Sequence, residues 1–148
     1  MTGSALAVLL SVLAGLAGAV QVSLMSQLGD RISIVGAVAF ATLFTAVVSV
    51  GLLLAFRRSF VAYRNAFDHP WWMLMGGLLG LLIVVTITYA GGRLGVAATV
   101  GILIAGQLIM GAAIDRFGLL GSAKIPLHWP RVLGIVLLGA GAALSLKK

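Results

Sequence analysis

Asp115 is the residue whose type and position point most directly to chemistry. The chain has three acidic residues, and Asp115 is the one that sits against the body of a long apolar run. A charged side chain within a bilayer costs from about 2.5 kcal/mol upward, and it persists mainly where it is enclosed and used. A carboxylate near a helix C-terminus also needs a compensating cation. Two interpretations stay open: an interfacial ion pair with Arg116 or Arg131, or a gate or coupling group that binds a substrate cation or accepts a proton.

Gln107 lies deeper in the same run, eight residues before Asp115. On a helix the two share a face to within about 80°. A buried amide offers donors and an acceptor, which suits either a lock between helices or a contact with substrate. Gly106 and Gly111 flank Gln107 and give another helix or a substrate room to approach. Gln21, in the first apolar run, is open to the same two interpretations, and we predict that both amides line a substrate pathway.

Three hydroxyls recur on one face of the second apolar run: Thr42, Thr45 and Ser49. Their i, i+3 and i+7 spacing is helical. Hydroxyls in membrane helices most often bond back to their own backbone, and lining a pore is the alternative. Thr42 and Thr45 are therefore weaker members of the predicted pathway.

Gly76 and Gly80 have the GxxxG spacing that lets two helix backbones approach closely. The contact would lie within one bundle or between two subunits. We assign Gly76, Gly80, Gly106 and Gly111 to helix packing or a dimer face.

These side chains must be positioned by membrane helices. Of the 148 residues 61% are hydrophobic and 9% charged, too few charges to cover a soluble domain. The apolar residues form runs of about twenty, the length that crosses a bilayer as a helix. We predict an all-α integral membrane protein, one domain over residues 1–148, whose five transmembrane helices cover about residues 5–28, 33–56, 71–90, 94–117 and 131–146.

The connections carry further predictions. Gly29-Asp30-Arg31 and Gly91-Gly92-Arg93 read as tight turns, and Gly118 as a C-terminal cap. Residues 57–70 form either a short amphipathic helix at the membrane interface or a plain loop. The last run is short for a full crossing, which indicates tilted neighbours or local thinning of the bilayer.

Several functions lack support in the sequence. There is no Cys, which rules out disulfides and thiolate metal sites, and the two His are far from other ligands, so no metal or other cofactor is expected. No Ser-His-Asp set, HExxH motif or P-loop is present, so we predict no enzyme. The formal net charge is +7, but the basic residues lie in connections beside apolar runs, as topology signals do, and we predict no nucleic-acid binding.

The basic residues also bear on orientation. With five crossings, one side of the membrane collects six Lys and Arg and the other collects four. The larger count favours a cytoplasmic N-terminus. So small a difference is also typical of a chain that inserts in both directions, and dual topology stays open.

The chain resembles the YdcZ-like (DUF606) family of the drug/metabolite transporter superfamily over nearly its whole length. The resemblance rests on five stretches: Gln21 with Leu28-Gly29, Pro70-Trp71-Trp72 followed by Gly76-Gly77-Leu78-Leu79-Gly80, Arg93-Leu94-Gly95, Gly106-Gln107 with Ile114-Asp115-Arg116-Phe117-Gly118-Leu119-Leu120-Gly121, and Arg131-Val132-Leu133-Gly134. The sequence departs from the family at Met25, where Asn is frequent, and at Gly111, where Ser is common.

The resemblance implies a unit like the four-helix small multidrug resistance proteins with a fifth helix added, half of a ten-helix transporter built from inverted repeats. It implies a multi-pass protein of the bacterial inner membrane, surrounded by lipid. A half-size unit needs a partner, so the resemblance implies a homodimer, with an antiparallel arrangement as one option, or a paired homologue.

Two functions remain as hypotheses. The first is a half-size secondary transporter that exports a small metabolite or organic cation by alternating access. The second is a non-transporting membrane subunit or lipid-interacting scaffold, which the scarcity of polar side chains favours. A polar cavity near Gln107 would indicate transport, whereas a dry interior with an exposed groove would indicate a scaffold.

Overall fold

The computed structural model describes residues 3–57 and 70–146, and in these residues it is helical, without strands. The prediction of an all-α fold is confirmed. The prediction for residues 57–70, an amphipathic helix at the interface or a plain loop, falls almost wholly on residues 58–69, which lie outside the described part. The helices are α1 Gly3–Ile32, α2 Ile34–Arg57, α3 Met75–Leu94, α4 Val96–Phe117 and α5 Trp129–Leu144, with short 3-10 helices at Trp71–Leu74 and Leu119–Gly121.

Four helical segments are long and apolar enough to cross a membrane: Gly3–Ile32, Ile34–Phe56, Trp71–Leu94 and Val96–Phe117. The shortest of them, with 22 residues, is about 33 Å long, against a hydrocarbon layer of roughly 30 Å. α5 has 16 residues and reaches only about 24 Å. The protein is thus an all-helical membrane protein with four full-length candidate spans among the described residues.

The predicted turn at Gly29-Asp30-Arg31 is wrong, because α1 continues to Ile32. The break falls at Ser33, whose φ of 88° interrupts the helix while its N–H still donates to the carbonyl of Gly29 over 3.0 Å. Gly29 serves packing: a Cβ built there would lie 2.7 Å from Cγ2 of Thr88 in α3. Gly29 thus admits a neighbouring helix and does not turn the chain.

Two further boundaries differ from prediction. Gly91-Gly92-Arg93 belongs to α3, and the break comes at Gly95 with a φ of 84°. α5 begins at Trp129 with Pro130 in its first turn. The N–H groups of a first turn have no acceptor within the helix, so the N–H that proline lacks costs no hydrogen bond there. The predicted cap at Gly118 is confirmed: its φ is 66°, and its N–H donates to the carbonyl of Ile114.

The chain divides into two compact units. In the unit of residues 23–92, the buried side chains of Met25, Ala37 and Val38 form a cluster that joins α1, α2 and, through Val84, α3. In the unit of residues 1–22 and 93–148, α4 and α5 pack closely, since a Cβ built on Gly101 would lie 3.2 Å from that of Ala142. That the whole chain acts as one domain remains a prediction.

The contact at Gly29 yields a prediction for stability. Gly29→Ala should lower the free energy of unfolding by about 1–3 kcal/mol, the usual cost of overpacking, because the Thr88 hydroxyl is held by a 2.7 Å hydrogen bond to the carbonyl of Val84 and its methyl cannot turn away freely. Thermal unfolding in detergent measures the loss.

Two controls test whether the clash with Thr88 is the cause. Gly51→Ala, where a Cβ would meet nothing within 4 Å, should be neutral or slightly stabilising. Thr88→Ser removes the opposing methyl and should restore most of the stability of Gly29→Ala. A full loss in the double variant would exclude the clash as its cause.

Candidate functional site

Asp115 and Arg131 form an ion pair, with 2.5 Å between Oδ2 of Asp115 and a terminal guanidinium nitrogen of Arg131. Asp115 lies in the last turn of α4 and Arg131 in the first turn of α5. The Asp115 side chain is 26% exposed and that of Arg131 39%. Of the two cations considered from the sequence, Arg131 is therefore the partner, as in the ion-pair interpretation. The role of Asp115 as a gate or coupling group stays a prediction.

Each charge of this pair opposes the dipole of its own helix. A helix C-terminus carries partial negative charge and disfavours a carboxylate, while a helix N-terminus disfavours a cation, each by typically 0.3–1 kcal/mol where exposed. Asp115 and Arg131 occupy these unfavourable ends. Since neither is stabilised by its own helix, each depends on the other or on a replacement partner.

The connection between α4 and α5 folds back onto the end of α4. The N–H of Ile125 donates to the carbonyl of Asp115 over 2.8 Å, which closes a loop over the intervening residues. The aliphatic part of the Lys124 side chain packs against Gly118. A Cβ built on Gly118 would lie 2.8 Å from Cγ of Lys124. The sequence indicated a polar connection here but not this closure; the only local signal was the cap at Gly118.

Gln107 lies at the midpoint of α4 and is exposed. It makes no hydrogen bond within the described residues. A Cβ built on Gly106 or Gly111 would meet nothing within 4 Å, so the helix surface is open at these two glycines. Hydrocarbon cannot satisfy an amide's donors and acceptor, and such a position calls for a polar partner. The substrate-pathway role of Gln107 and the gate or coupling role of Asp115 stay predictions.

The other predicted pathway residues are less distinctive. Gln21 is exposed on α1. The hydroxyl of Thr42 donates to the carbonyl of Val38 over 2.8 Å, the back-bonding that the sequence analysis gave as the more frequent case. Thr45 is exposed on α2. Their place in a substrate pathway remains a prediction.

An open groove of about 530 Å³ lies between α2 and α3. Its lining is apolar apart from Thr42, whose hydroxyl is already bonded. The lining residues are Ile34, Val35, Val38, Ala39, Thr42, Leu43, Ala46, Leu81 and Val85. The groove is suited to an acyl chain or an apolar helix and offers little to a charged ligand.

Gly76 and Gly80 have no close neighbour, since a Cβ at either would meet nothing within 4 Å. Their assignment to helix packing or a dimer face stays a prediction, as does that of Gly106 and Gly111.

A family model described as "Putative inner membrane exporter, YdcZ" matches residues 6–144. The chain belongs to the YdcZ family. A curated YdcZ relative, the inner membrane protein YdcZ of Escherichia coli (strain K12), is 30% identical over 139 residues, which cover 91% of each chain. No solved structure gives a significant match. The resemblance to the YdcZ-like family is confirmed, and with its apolar spans the chain is a multi-pass inner membrane protein. The family description names exporters and no enzyme.

Proposed function

We propose that this protein is a half-size secondary transporter that exports a small metabolite or organic cation by alternating access, as a homodimer. The observation that carries the proposal is the exposed Gln107 amide at the midpoint of α4, with open space at Gly106 and Gly111. An amide at the centre of a membrane span needs a polar partner, and a substrate in transit provides one. The family description as exporters supports the same class of function.

The ion pair of Asp115 and Arg131 is suited to a gate. Because each charge opposes its helix dipole, separating them requires a substitute partner for Asp115. A substrate cation or a proton is such a partner. Without a nucleotide-binding motif in the sequence, an ion gradient is the energy source that fits.

The proposed architecture has five crossings. α5, at about 24 Å, would cross where the bilayer thins or its neighbours tilt. An odd number of crossings places the termini on opposite sides, and an antiparallel homodimer then reproduces the inverted repeats that put a site at the midplane. Gly76, Gly80, Gly106 and Gly111 are the proposed contacts between subunits, and a paired homologue is the alternative partner.

The test is transport by purified protein in proteoliposomes. A panel of organic cations and small polar metabolites should reveal at least one substrate with saturable flux that responds to an imposed pH or sodium gradient. Protein-free liposomes and Gln107→Leu liposomes are the controls. If the panel gives no flux above the protein-free background, the transport proposal fails.

The groove between α2 and α3 favours a second candidate, a non-transporting subunit or lipid-interacting scaffold. Its apolar lining accepts an acyl chain or a helix. Ala39 is one of the lining residues, and Ala39→Trp would fill the groove. Absence of flux in the unaltered protein, together with binding of a lipid or partner helix that Ala39→Trp abolishes, would favour the scaffold function. Flux that is lost in Gln107→Leu and kept in Ala39→Trp would favour transport.

A further inference from the structure

The connection from Gly118 to His128, together with the helix ends beside it, combines exposed cations with exposed apolar side chains. We propose that it is a binding site for the phosphate headgroup of an anionic phospholipid, with Arg116 and Lys124 as the contacting cations. The proposal concerns the membrane surface and stands apart from the transport function.

The length of α4 determines how deep in the membrane the connection and the adjoining helix ends lie; residues 115–131 are called the α4–α5 surface below. With 22 residues, α4 is about 33 Å long and matches a hydrocarbon layer of roughly 30 Å. Its last residue, Phe117, therefore lies close to the boundary between acyl chains and headgroups. The connection begins at that boundary and returns to it, since Ile125 bonds to the carbonyl of Asp115.

Charge in the α4–α5 surface is unbalanced. Residues 115–131 carry three cations, Arg116, Lys124 and Arg131, and one carboxylate. Asp115 is engaged by Arg131. Arg116 and Lys124 are exposed, and within the described residues neither forms an ion pair. Two exposed cations without a protein carboxylate are suited to a phosphate, which accepts several charge-assisted hydrogen bonds.

The loop geometry places the Lys124 side chain against Gly118, at the end of α4 that carries Arg116. A Cβ on Gly118 would lie 2.8 Å from Cγ and 3.3 Å from Cε of Lys124, so the lysine stem runs past a residue only two positions from Arg116. Gly118 adopts a φ of 66°, and the missing side chain leaves that path open. The two cations thus share one end of α4.

The apolar side chains of the α4–α5 surface fit the outer edge of the acyl layer. Leu120 is 71% exposed and Trp129 is 73% exposed. Tryptophan is enriched at membrane interfaces, where its ring contacts acyl carbon and its N–H contacts headgroups. Cations beside large exposed apolar groups, at the end of a membrane span, match an anionic leaflet better than bulk water.

The test uses the fluorescence of Trp129. The chain has three Trp, and Trp71→Phe with Trp72→Phe leaves Trp129 as the reporter. In phosphatidylcholine bilayers, a small mole fraction of brominated phosphatidylglycerol should quench Trp129 more than the same fraction of brominated phosphatidylcholine. Lys124→Gln and Arg116→Gln should each lower this preference about fivefold, the factor expected per basic residue at an anionic surface, and added salt should lower it too.

Arg31→Gln is the matched control, because it removes one exposed cation from the end of α1 and should leave the preference unchanged. Equal quenching by the two lipids, absence of quenching by both, or an equal effect of Arg31→Gln would overturn the proposal. Should the double Trp variant fail to fold, native mass spectrometry of the unaltered chain gives the same answer: retained phosphatidylglycerol must decrease in Lys124→Gln and not in Arg31→Gln.

Discussion

Gln107→Leu is expected to lower transport by about 10- to 100-fold while the protein stays folded. The substitution keeps the approximate size of the side chain and removes its donors and acceptor. A hydrogen bond to a charged group contributes about 1.5–3 kcal/mol, and that loss corresponds to roughly this factor in rate. Because the side chain is exposed in the isolated chain, folding of the subunit should not depend on the amide.

Gln27→Leu is the matched control for that variant. Gln27 is also an exposed glutamine on a long helix, but its amide donates to the hydroxyl of Ser23 over 3.2 Å and lies outside the proposed pathway. Initial rates in proteoliposomes, measured with thermal unfolding of each variant, separate transport from stability. Equal rates for Gln107→Leu and the unaltered protein would remove Gln107 from the pathway.

Exchanging the two charges of the ion pair is expected to stabilise the protein and slow transport. In the double variant Asp115→Arg with Arg131→Asp, the pair is retained, but each charge now matches the dipole of its helix. Reversing two placements that each cost typically 0.3–1 kcal/mol should raise the free energy of unfolding by about 1 kcal/mol after solvent screening. A gate held more firmly closed should open more slowly.

The single variants Asp115→Asn and Arg131→Gln serve as comparisons for the stability of the exchanged variant. Asp115→Asn and Arg131→Gln each lose the pair but also remove one unfavourable charge, so their stability should stay within about 1 kcal/mol of the unaltered protein. Thermal unfolding at low and high salt measures all three, and the gain of the exchanged variant should shrink with salt. An exchanged variant less stable than Asp115→Asn would contradict the dipole argument, and one that transports at the full rate would contradict the gate.

The sequence predicts those features of the fold that local sequence determines, and it does not predict those that depend on tertiary packing. The helical runs follow from apolar length, and the cap at Gly118 follows from the local backbone conformation that glycine permits. Local reasoning gives the wrong role for Gly29. Its lack of a side chain allows close packing of Thr88, a residue 59 positions later in the sequence. Contacts of that kind depend on tertiary packing, and spacing along one helix does not reveal them.

The candidate site shows the same division. Residue type identifies Asp115, Gln107 and a cation near the carboxylate as unusual within apolar sequence. The choice of Arg131 over Arg116 required the α4–α5 contact, since Arg131 lies on the next helix. The closed loop and the path of Lys124 over Gly118 likewise came only from the structure.

The arrangement of two subunits around Gln107 is the most direct test of the proposed transporter. The native chain has no Cys, so Leu103→Cys and Met110→Cys each introduce a single thiol. The two positions share the helical face of Gln107 at i, i+4 and i+7, on either side of the α4 midpoint. Differently tagged copies of both variants are co-expressed, oxidised in native membranes and examined for disulfides, which require Cα atoms within about 7 Å. An antiparallel dimer with α4 at its centre predicts disulfides between position 103 of one copy and position 110 of the other; disulfides formed only between identical positions, or none at either, would contradict it.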